Sequence, residues 1–465
     1  MRTKFIRLAA IALALVMIIM TVGCTRGAKK GVVAAVPTDD FKPVIDTGKD
    51  SDLYDRYEEY KENATLAFKD FSKAEASDFE YEIKDSGIVI EKYVGSDTIV
   101  VVPESIDGLP VTEIGECAFS GSGLKAVSIP DTVVAIAYRA FSECDSITTL
   151  RVPFIGNGSD KGFLGYIFGA DSHDKNAVAV PPSLDMLIVG NKATAVEENA
   201  LRGCKTLSAV ILPDSVTEIG RLAFFECTDL VYVDLGNSVS KIGEYSFAYC
   251  YALYYIDCST ANEIETGAFF LCTAMNGIKL KMGENDYLGR IFGATDPEYN
   301  TDFVPQSLRN VEIAEGTVKV GHMAFYSCKY LTSVTLPNTL ESIGVRSFYA
   351  CRSLSSIVLT DGIKTIDDDA FFGCDALVAV TFGKSLESLG MQAFMGCEML
   401  KKVNLPSSLK EIKSGTFYDC VALTDVSLGG VKKIGKNAFA NCKALNPVST
   451  SGITVEEGNE ALSGS

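Results

Sequence analysis

Fourteen cysteines and two histidines bound the metal and nucleophile chemistry available to this 465-residue chain. Eleven of the cysteines (Cys144, Cys204, Cys227, Cys250, Cys272, Cys328, Cys351, Cys374, Cys397, Cys420 and Cys442) stand three residues after a Phe or Leu that recurs along the chain. No Cys-x-x-Cys or His-ligand spacing accompanies them, which argues against zinc. If the repeats stack, column mates lie about 5 Å apart, within disulfide range, but their parallel side-chain vectors disfavour bridging. Buried free thiols acting as small hydrophobes are expected instead. His173 and His322 fall in different repeats and no Gly-x-Ser-x-Gly is present, so a histidine-based triad or His-rich metal site is not expected.

Tyrosines and carboxylates are the remaining candidates. Tyr232 and Asp234 recur one repeat later as Tyr255 and Asp257, and strand alternation turns all four outward, with Tyr254 beside them. An exposed tyrosine and carboxylate ladder suits recognition of a protein or glycan, because Tyr offers area and a polar tip at low entropy cost. Tyrosines that merely cover a sheet face are the alternative. A glycan-acting enzyme would have only Asp234 and Asp257 to use, and would need them about 5 to 9.5 Å apart in a cleft. Asp367-Asp368-Asp369 reads as acidic capping of the following turn in preference to a calcium site. Gly121-x-Gly123-x-x-Ala126 spells a dinucleotide fingerprint but precedes a strand instead of following one. Catalytic residues, cofactors and metals are accordingly none.

The elements that must position these residues are repeats. Ala324-Phe325-x-x-Cys328 recurs from Ser347, Ala370, Ala393 and Thr416, each 23 residues after the last. A period of this length means stacked units, none of which buries its apolar face alone. About twelve coils of 22 to 23 residues are marked by Phe119, Phe141, Leu201, Phe224, Phe247, Phe269, Phe325, Phe348, Phe371, Phe394, Phe417 and Phe439. Within one coil, Leu331-x-x-Val334-x-Leu336 matches the leucine-rich-repeat strand, Leu340 and Ile343 give a second inward element, and Ala-Phe-x-x-Cys gives one helical turn. The fold class is therefore an α/β, β-dominant leucine-rich-repeat solenoid with an N-terminal β cap. A glycine four residues before the Phe (Gly115, Gly220, Gly243, Gly321, Gly344, Gly390, Gly435) suggests a positive-φ corner, although Ala137, Glu265, Asp367 and Lys413 share its column. Two related inserts, Phe163 to Ala170 and Tyr287 to Ala294, interrupt the period and read either as binding loops or as variant coils.

Arg2, Lys4 and Arg7 precede an apolar run that ends at Gly23-Cys24, which reads as a secretory signal. Thr21-Val22-Gly23-Cys24 resembles the lipobox of bacterial lipoproteins, which implies lipidation at Cys24; a plain secretory signal is the alternative. Loss of Arg2, Lys4 and Arg7 would take the net charge from −18 to −21, and that field opposes nucleic acid and anionic lipid as partners. The expected organisation is a signal peptide at 1–23, a flexible tether at 24–50 and an amphipathic helix or spacer at 51–76. A cap at 79–114 follows, then the solenoid at 115–450 with inserts at about 154–190 and 282–312, and a partial coil or tail at 451–465. The helix carries a stripe of Leu53, Tyr57, Tyr60, Ala64, Ala67 and Phe71, open to a partner helix or to packing on the solenoid. A dedicated C-terminal cap is not evident.

The repeat Ile-Gly-x-x-Ala-Phe-x-x-Cys-x-x-Leu-x-x-Val-x-Leu-Pro resembles the BspA-type leucine-rich repeats of bacterial surface proteins, over about residues 79–459 and including the Leu-Gly-x-Ile-Phe-Gly-Ala inserts. The resemblance implies an extracytoplasmic, lipid- or wall-anchored protein that binds host or neighbouring-cell surface or matrix proteins or glycans, with no common catalytic residues. The membrane is then contacted through the lipid anchor alone. A passive surface spacer is the competing expectation.

Overall fold

The computed structural model describes residues 51–64, 68, 71–85 and 87–463. Cys24 and the expected tether lie outside the described residues.

Each coil alternates where it is buried on one side. Val334 and Leu336 point into the stack and are buried, whereas Thr335 is exposed. Ser333–Thr335 pairs in parallel and in register with Asn310–Ile313. A ladder of such strands runs from Ile99–Val101 to Asp425–Ser427 through three successive hydrogen-bonded sheets. Two-residue strands such as Ser342–Ile343 form a second parallel ladder. A third runs through the Ala-Phe-x-x-Cys segments, where Phe224 N donates to Ser246 O at 2.7 Å and Phe348 N to Ala370 O at 2.8 Å.

Those segments are closed by i to i−3 bonds, as from Cys227 N to Phe224 O. They do not lengthen into helices because residues two before and two after the Phe are left-handed, as at Leu222 (φ 57°) and Glu226 (φ 60°). That conformation aims their N–H groups at Glu244 O and Ala248 O of the next coil. A left-handed non-glycine residue costs about 1 kcal/mol or more, which the inter-coil bond offsets.

Stacking at the strand spacing brings equivalent side chains face to face. Phe325, Phe348, Phe371 and Phe394 are separated by 4.9 to 5.0 Å with rings within 5° of parallel. Each such pair is worth about 0.5–1.5 kcal/mol beyond the area it buries. The cysteine column lies beside it. Sγ of Cys351 donates to Phe325 O at 3.1 Å, and Cys374, Cys397 and Cys420 repeat the bond to the Phe carbonyl of the preceding coil. The thiols are thus small hydrophobes that also satisfy a buried carbonyl. Burial pushes their pKa values up, to about 12 at Cys204 and well above the usual value at Cys351 and Cys374. All described cysteines are free, and only Cys117 is exposed.

The glycine column has a different cause from the corner expected of it. Gly220, Gly243, Gly344, Gly390 and Gly435 do not have positive φ. Their amides bond directly to the preceding coil, Gly390 N to Ile366 O at 2.8 Å, and a Cβ at Gly390 would stand 2.3 Å from Asp367 C. Close approach of backbones, not left-handed geometry, favours glycine here. Ala137, Glu265 and Asp367 make the same bond with a side chain present, so a local adjustment can relieve the contact.

Both inserts are coils of the stack. Phe141 N donates to Ile167 O and Leu164 N to Ala200 O; Phe269 N donates to Ile291 O and Leu288 N to Ala324 O. Buried Asn176 and Asn300 hold them, each Oδ1 accepting from a glycine amide (Gly165, Gly289) at 2.8 Å and each Nδ2 donating to Ala200 O or Ala324 O. The stack consequently has about 16 turns where the period marks twelve, the inserts adding one each and the two ends the rest.

At the N-terminal end Phe79–Lys84 pairs antiparallel with Gly87–Tyr93, which pairs in parallel with Leu109–Ile114. The other end is closed by a side chain. Asn459 Oδ1 accepts from Phe439 N at 3.0 Å, where a further coil would have supplied a carbonyl, and its Nδ2 donates to Gly435 O and Glu456 O. Leu462 is buried beneath this closure. Asn459 therefore supplies the C-terminal cap that the repeat pattern did not reveal.

Candidate functional site: a tyrosine face under the N-terminal helix

Helix α1 (Ser51–Ala64) places Leu53, Tyr57 and Tyr60 at i, i+4 and i+7 on one face, with Tyr54 alongside. Asp55, Glu59, Lys61 and Glu62 point to solvent. Phe71, at the far end of the expected stripe, is exposed and takes no part in the packed face; Ala67 lies outside the described residues. From Leu53 onward the chain forms one compact unit.

The outward face of the long strands is where α1 lies. Tyr57 sits among three tyrosines of the sheet, its ring centroid 5.5 Å from Tyr232, 5.7 Å from Tyr255 and 6.1 Å from Tyr254. Tyr54 meets Tyr254 edge-on at 6.0 Å. Met186, Ala209 and Val231 complete an apolar cluster separate from the core of the stack, with Ile188 and Ile211 packed at its edge. The Tyr60 hydroxyl donates to both carboxylate oxygens of Asp185 at 2.8 and 2.9 Å, and Arg56 Nη2 donates to Ser208 Oγ at 3.4 Å. Burial pushes the hydroxyls of Tyr57, Tyr255 and Tyr232 up, Tyr232 to about 12, and keeps them neutral.

Tyr232, Tyr254 and Tyr255 are therefore brought together, but the exposure expected of the ladder is not found. Tyr232 is 8% exposed and Tyr254 is fully buried, because α1 covers them. Asp234 and Asp257 stay exposed beyond the helix. Each is engaged in its own turn, Asp234 Oδ1 accepting from Gly236 N at 2.9 Å and Asp257 Oδ1 from Ser259 N at 2.8 Å, and Asp257 lies 3.7 Å from Lys279 Nζ. In the acidic triplet, Asp368 accepts from Met391 N at 2.7 Å and Asp369 pairs with Arg346 at 3.1 Å, so these two carboxylates join neighbouring coils.

Helical spacing picks out Leu53, Tyr57 and Tyr60, but neither it nor strand alternation reveals Tyr54, Asp185 or the apolar floor. One signal could have found the floor. Met186–Val189 and Ala209–Ile211 are apolar on both sides, and a strand apolar on both sides is covered on both.

A model of the BspA-type leucine-rich-repeat region matches residues 102–159, 175–292, 299–390 and 365–464, in six copies. The chain belongs to the BspA-type leucine-rich-repeat family. That family is one of bacterial surface repeat proteins. Among solved structures, this BspA-type chain is similar to a leucine-rich repeat protein from Bacteroides ovatus, at 20% identity over 83% of this chain and 99% of that one, with a TM-score of 0.37. It is also similar to a leucine-rich cell surface protein from Faecalibacterium prausnitzii (21% identity, 86% and 99% covered, TM-score 0.27) and to the pneumococcal vaccine antigen PcpA (18%, 83% and 98%, 0.27). No curated protein matches it. Among the described residues of this BspA-type chain, no helix is long and apolar enough to cross a membrane.

Proposed function

We propose that this BspA-type chain is a cell-surface binding protein, an adhesin held to the bacterial membrane through Cys24, that recognises protein or glycan ligands of host or neighbouring cells through its sheet face. The observation that carries this reading is the contrast along that face. Its tyrosine stretch is shaped closely enough to seat a helix, whereas from Ser333–Thr335 to Asp425–Ser427 the outward positions stand open. Thr335, Val358, Thr381, Lys402 and Asn404 are exposed there on successive rungs, and Val358 is 53% exposed. A row of mixed apolar and polar groups on a hydrogen-bonded ladder lets many weak contacts add at a reduced ordering cost. Tyr232, Tyr254 and Tyr255 are covered by α1, so the open stretch from Thr335 to Asn404 carries the contact, with exposed Asp234 and Asp257 beside the covered tyrosines.

The test is capture of matrix proteins and an array of glycans by the full chain, with and without the pair Val358→Arg and Thr381→Arg. Both positions are exposed, so stability changes little, within about 0.5 kcal/mol each. At least a tenfold loss of capture is expected. Unchanged capture would remove this stretch as a contact surface, and no capture by the native chain would favour the passive spacer.

A further inference from the structure

The outward row of the sheet begins, ahead of the tyrosine face, with a cleft. Val101, Ser128 and Arg151 stand on three paired rungs of that row and line its floor. Segment 71–75 closes one side, pinned where Ala74 N donates to Val101 O at 2.9 Å. The cleft has a volume of about 500 Å³, within the roughly 300–1,000 Å³ of small-molecule sites. Ser128 points outward yet is only 6% exposed, so the floor is recessed.

The polar groups of the cleft are held in place before any ligand arrives. Arg151 Nη1 donates to Ile129 O at 2.6 Å and its Nη2 to Asp131 Oδ1 at 2.9 Å, while Asp131 Oδ2 accepts from Asn191 Nδ2 at 3.2 Å. The guanidinium is fixed in its plane with donors left over. Gly190 makes room for the pair, since a Cβ there would run into Asp131 Oδ1 and stand 3.2 Å from Arg151 Nη2. In the wall, Thr132 Oγ1 is buried without a hydrogen-bond partner, a costly state that a ligand hydroxyl would relieve.

Charge in the cleft runs against that of the chain. Lys73 comes from the segment after α1, Arg151 from Thr149–Val152 and Lys192 from the turn after Met186–Val189. Glu104 lies 3.6 Å from Lys73 and Asp131 pairs with Arg151, whereas among the described residues no carboxylate pairs with Lys192. Three cations less two carboxylates leave +1, in a chain of net charge −18. A local excess against the prevailing field suits one negative group, and not a polyanion, because two of the cations are already countered. Asp131 and Glu104 can accept from hydroxyls, and Val102 and Pro130 give a small apolar wall for a C–H face.

We propose that this cleft binds a saccharide bearing a single carboxylate, of the uronic or sialic acid type, with Lys192 and Arg151 taking the carboxylate and Asp131, Glu104 and Thr132 taking hydroxyls. The inference rests on the reading of the sheet face as the contact surface and names one class of glycan for it.

The test is titration calorimetry of the full chain with two acid and neutral pairs, methyl glucuronide against methyl glucoside and sialyllactose against lactose, with acetate as a bare carboxylate. At least one acid is expected to bind tenfold or more tightly than both its neutral partner and acetate, by a margin over the neutral sugar that shrinks as salt is raised, and the pair that responds tells uronic from sialic acid. Lys192→Glu, at an exposed position, should weaken that acid at least tenfold, whereas Lys384→Glu, at a side chain 90% exposed and remote from the cleft, should leave it unchanged. No binding of either acid, equal binding of acid and neutral sugar, acetate bound as tightly as the acids, or an affinity insensitive to Lys192→Glu overturns the proposal. Val358 and Thr381 lie outside the cleft, so capture that depends on them alongside a failed titration would leave the sheet-face reading standing.

Discussion

Replacing Tyr57 with alanine is expected to release α1 and leave the solenoid intact. Tyr57 is 8% exposed and its ring meets three others at 5.5 to 6.1 Å. Burial of such a side chain is worth about 1.5–3 kcal/mol, and each aromatic contact adds about 0.5–1.5 kcal/mol. Part of that is recovered when the freed surfaces hydrate and relax, and aromatic-to-alanine changes in packed sites cost about 3–5 kcal/mol. A shift of that size in a local docking equilibrium is a factor of roughly 10² to a few times 10³. Alanine is also the better helix former, so the loss is one of docking and not of helix propensity. Hydrogen exchange followed by mass spectrometry would read it directly. Amides of residues 51–64 should lose protection by that factor, while those of the parallel ladders, and the melting temperature of the body, stay as they were. Tyr57→Phe, which keeps the ring, should stay within a few-fold of the native chain. Unchanged protection of 51–64 in Tyr57→Ala, or a fall in protection spread evenly over the solenoid, would refute the reasoning, because the first denies the anchor and the second denies that the helix cluster is separable from the core.

Three further outcomes follow from the packing of the coils. Gly390→Ala forces a methyl group to 2.3 Å from Asp367 C and should cost about 1–3 kcal/mol in chemical denaturation, whereas Gly123→Ala, with nothing within 4 Å and no positive φ, should be nearly neutral. The buried thiols have folded-state pKa values raised above the unfolded value near 9, so their contribution is fully present below about pH 9 and is lost as pH rises towards the folded values. Stability should be flat near neutrality and fall above pH 9 by up to about 1.4 kcal/mol per pH unit for each thiol that ionises only on unfolding; among the described cysteines, a thiol reagent at pH 8 should meet Cys117 alone in the native protein. Asn459→Ala removes the acceptor for Phe439 N and the donor to Gly435 O, and should cost about 1–3 kcal/mol, visible as faster exchange of the last coil before any change at the N-terminal end.

The repeat is legible in the order of residues, because the inward positions of a coil are read from spacing alone. Val334, Leu336, Ile343 and Phe348 have no place to go but the line they share with the residues 23 before and after them. The same spacing gave the cysteine column its free, protonated state. What spacing specifies, however, is the side of the coil on which a residue lies, not what lies beyond it. It took the folded stack to show that the glycine column answers to the backbone of the coil before it, that the inserts are coils held by Asn176 and Asn300, and that Asn459 stands in for a missing carbonyl. Each is a contact made along the stack axis, about 4.8 Å away in space and a whole coil away in sequence. The tyrosine face is the extreme case. Tyr57 and Tyr255 meet at 5.7 Å with nearly 200 residues between them, and the chain marks the meeting only by outward side chains that are apolar where the period would have left them polar: Met186, Ile188, Ala209 and Ile211. Those positions, together with the tyrosine stripe of α1, were legible as two apolar surfaces. That each is the cover of the other follows only from the fold, because burial is a property of two surfaces brought together and no single stretch of sequence contains both.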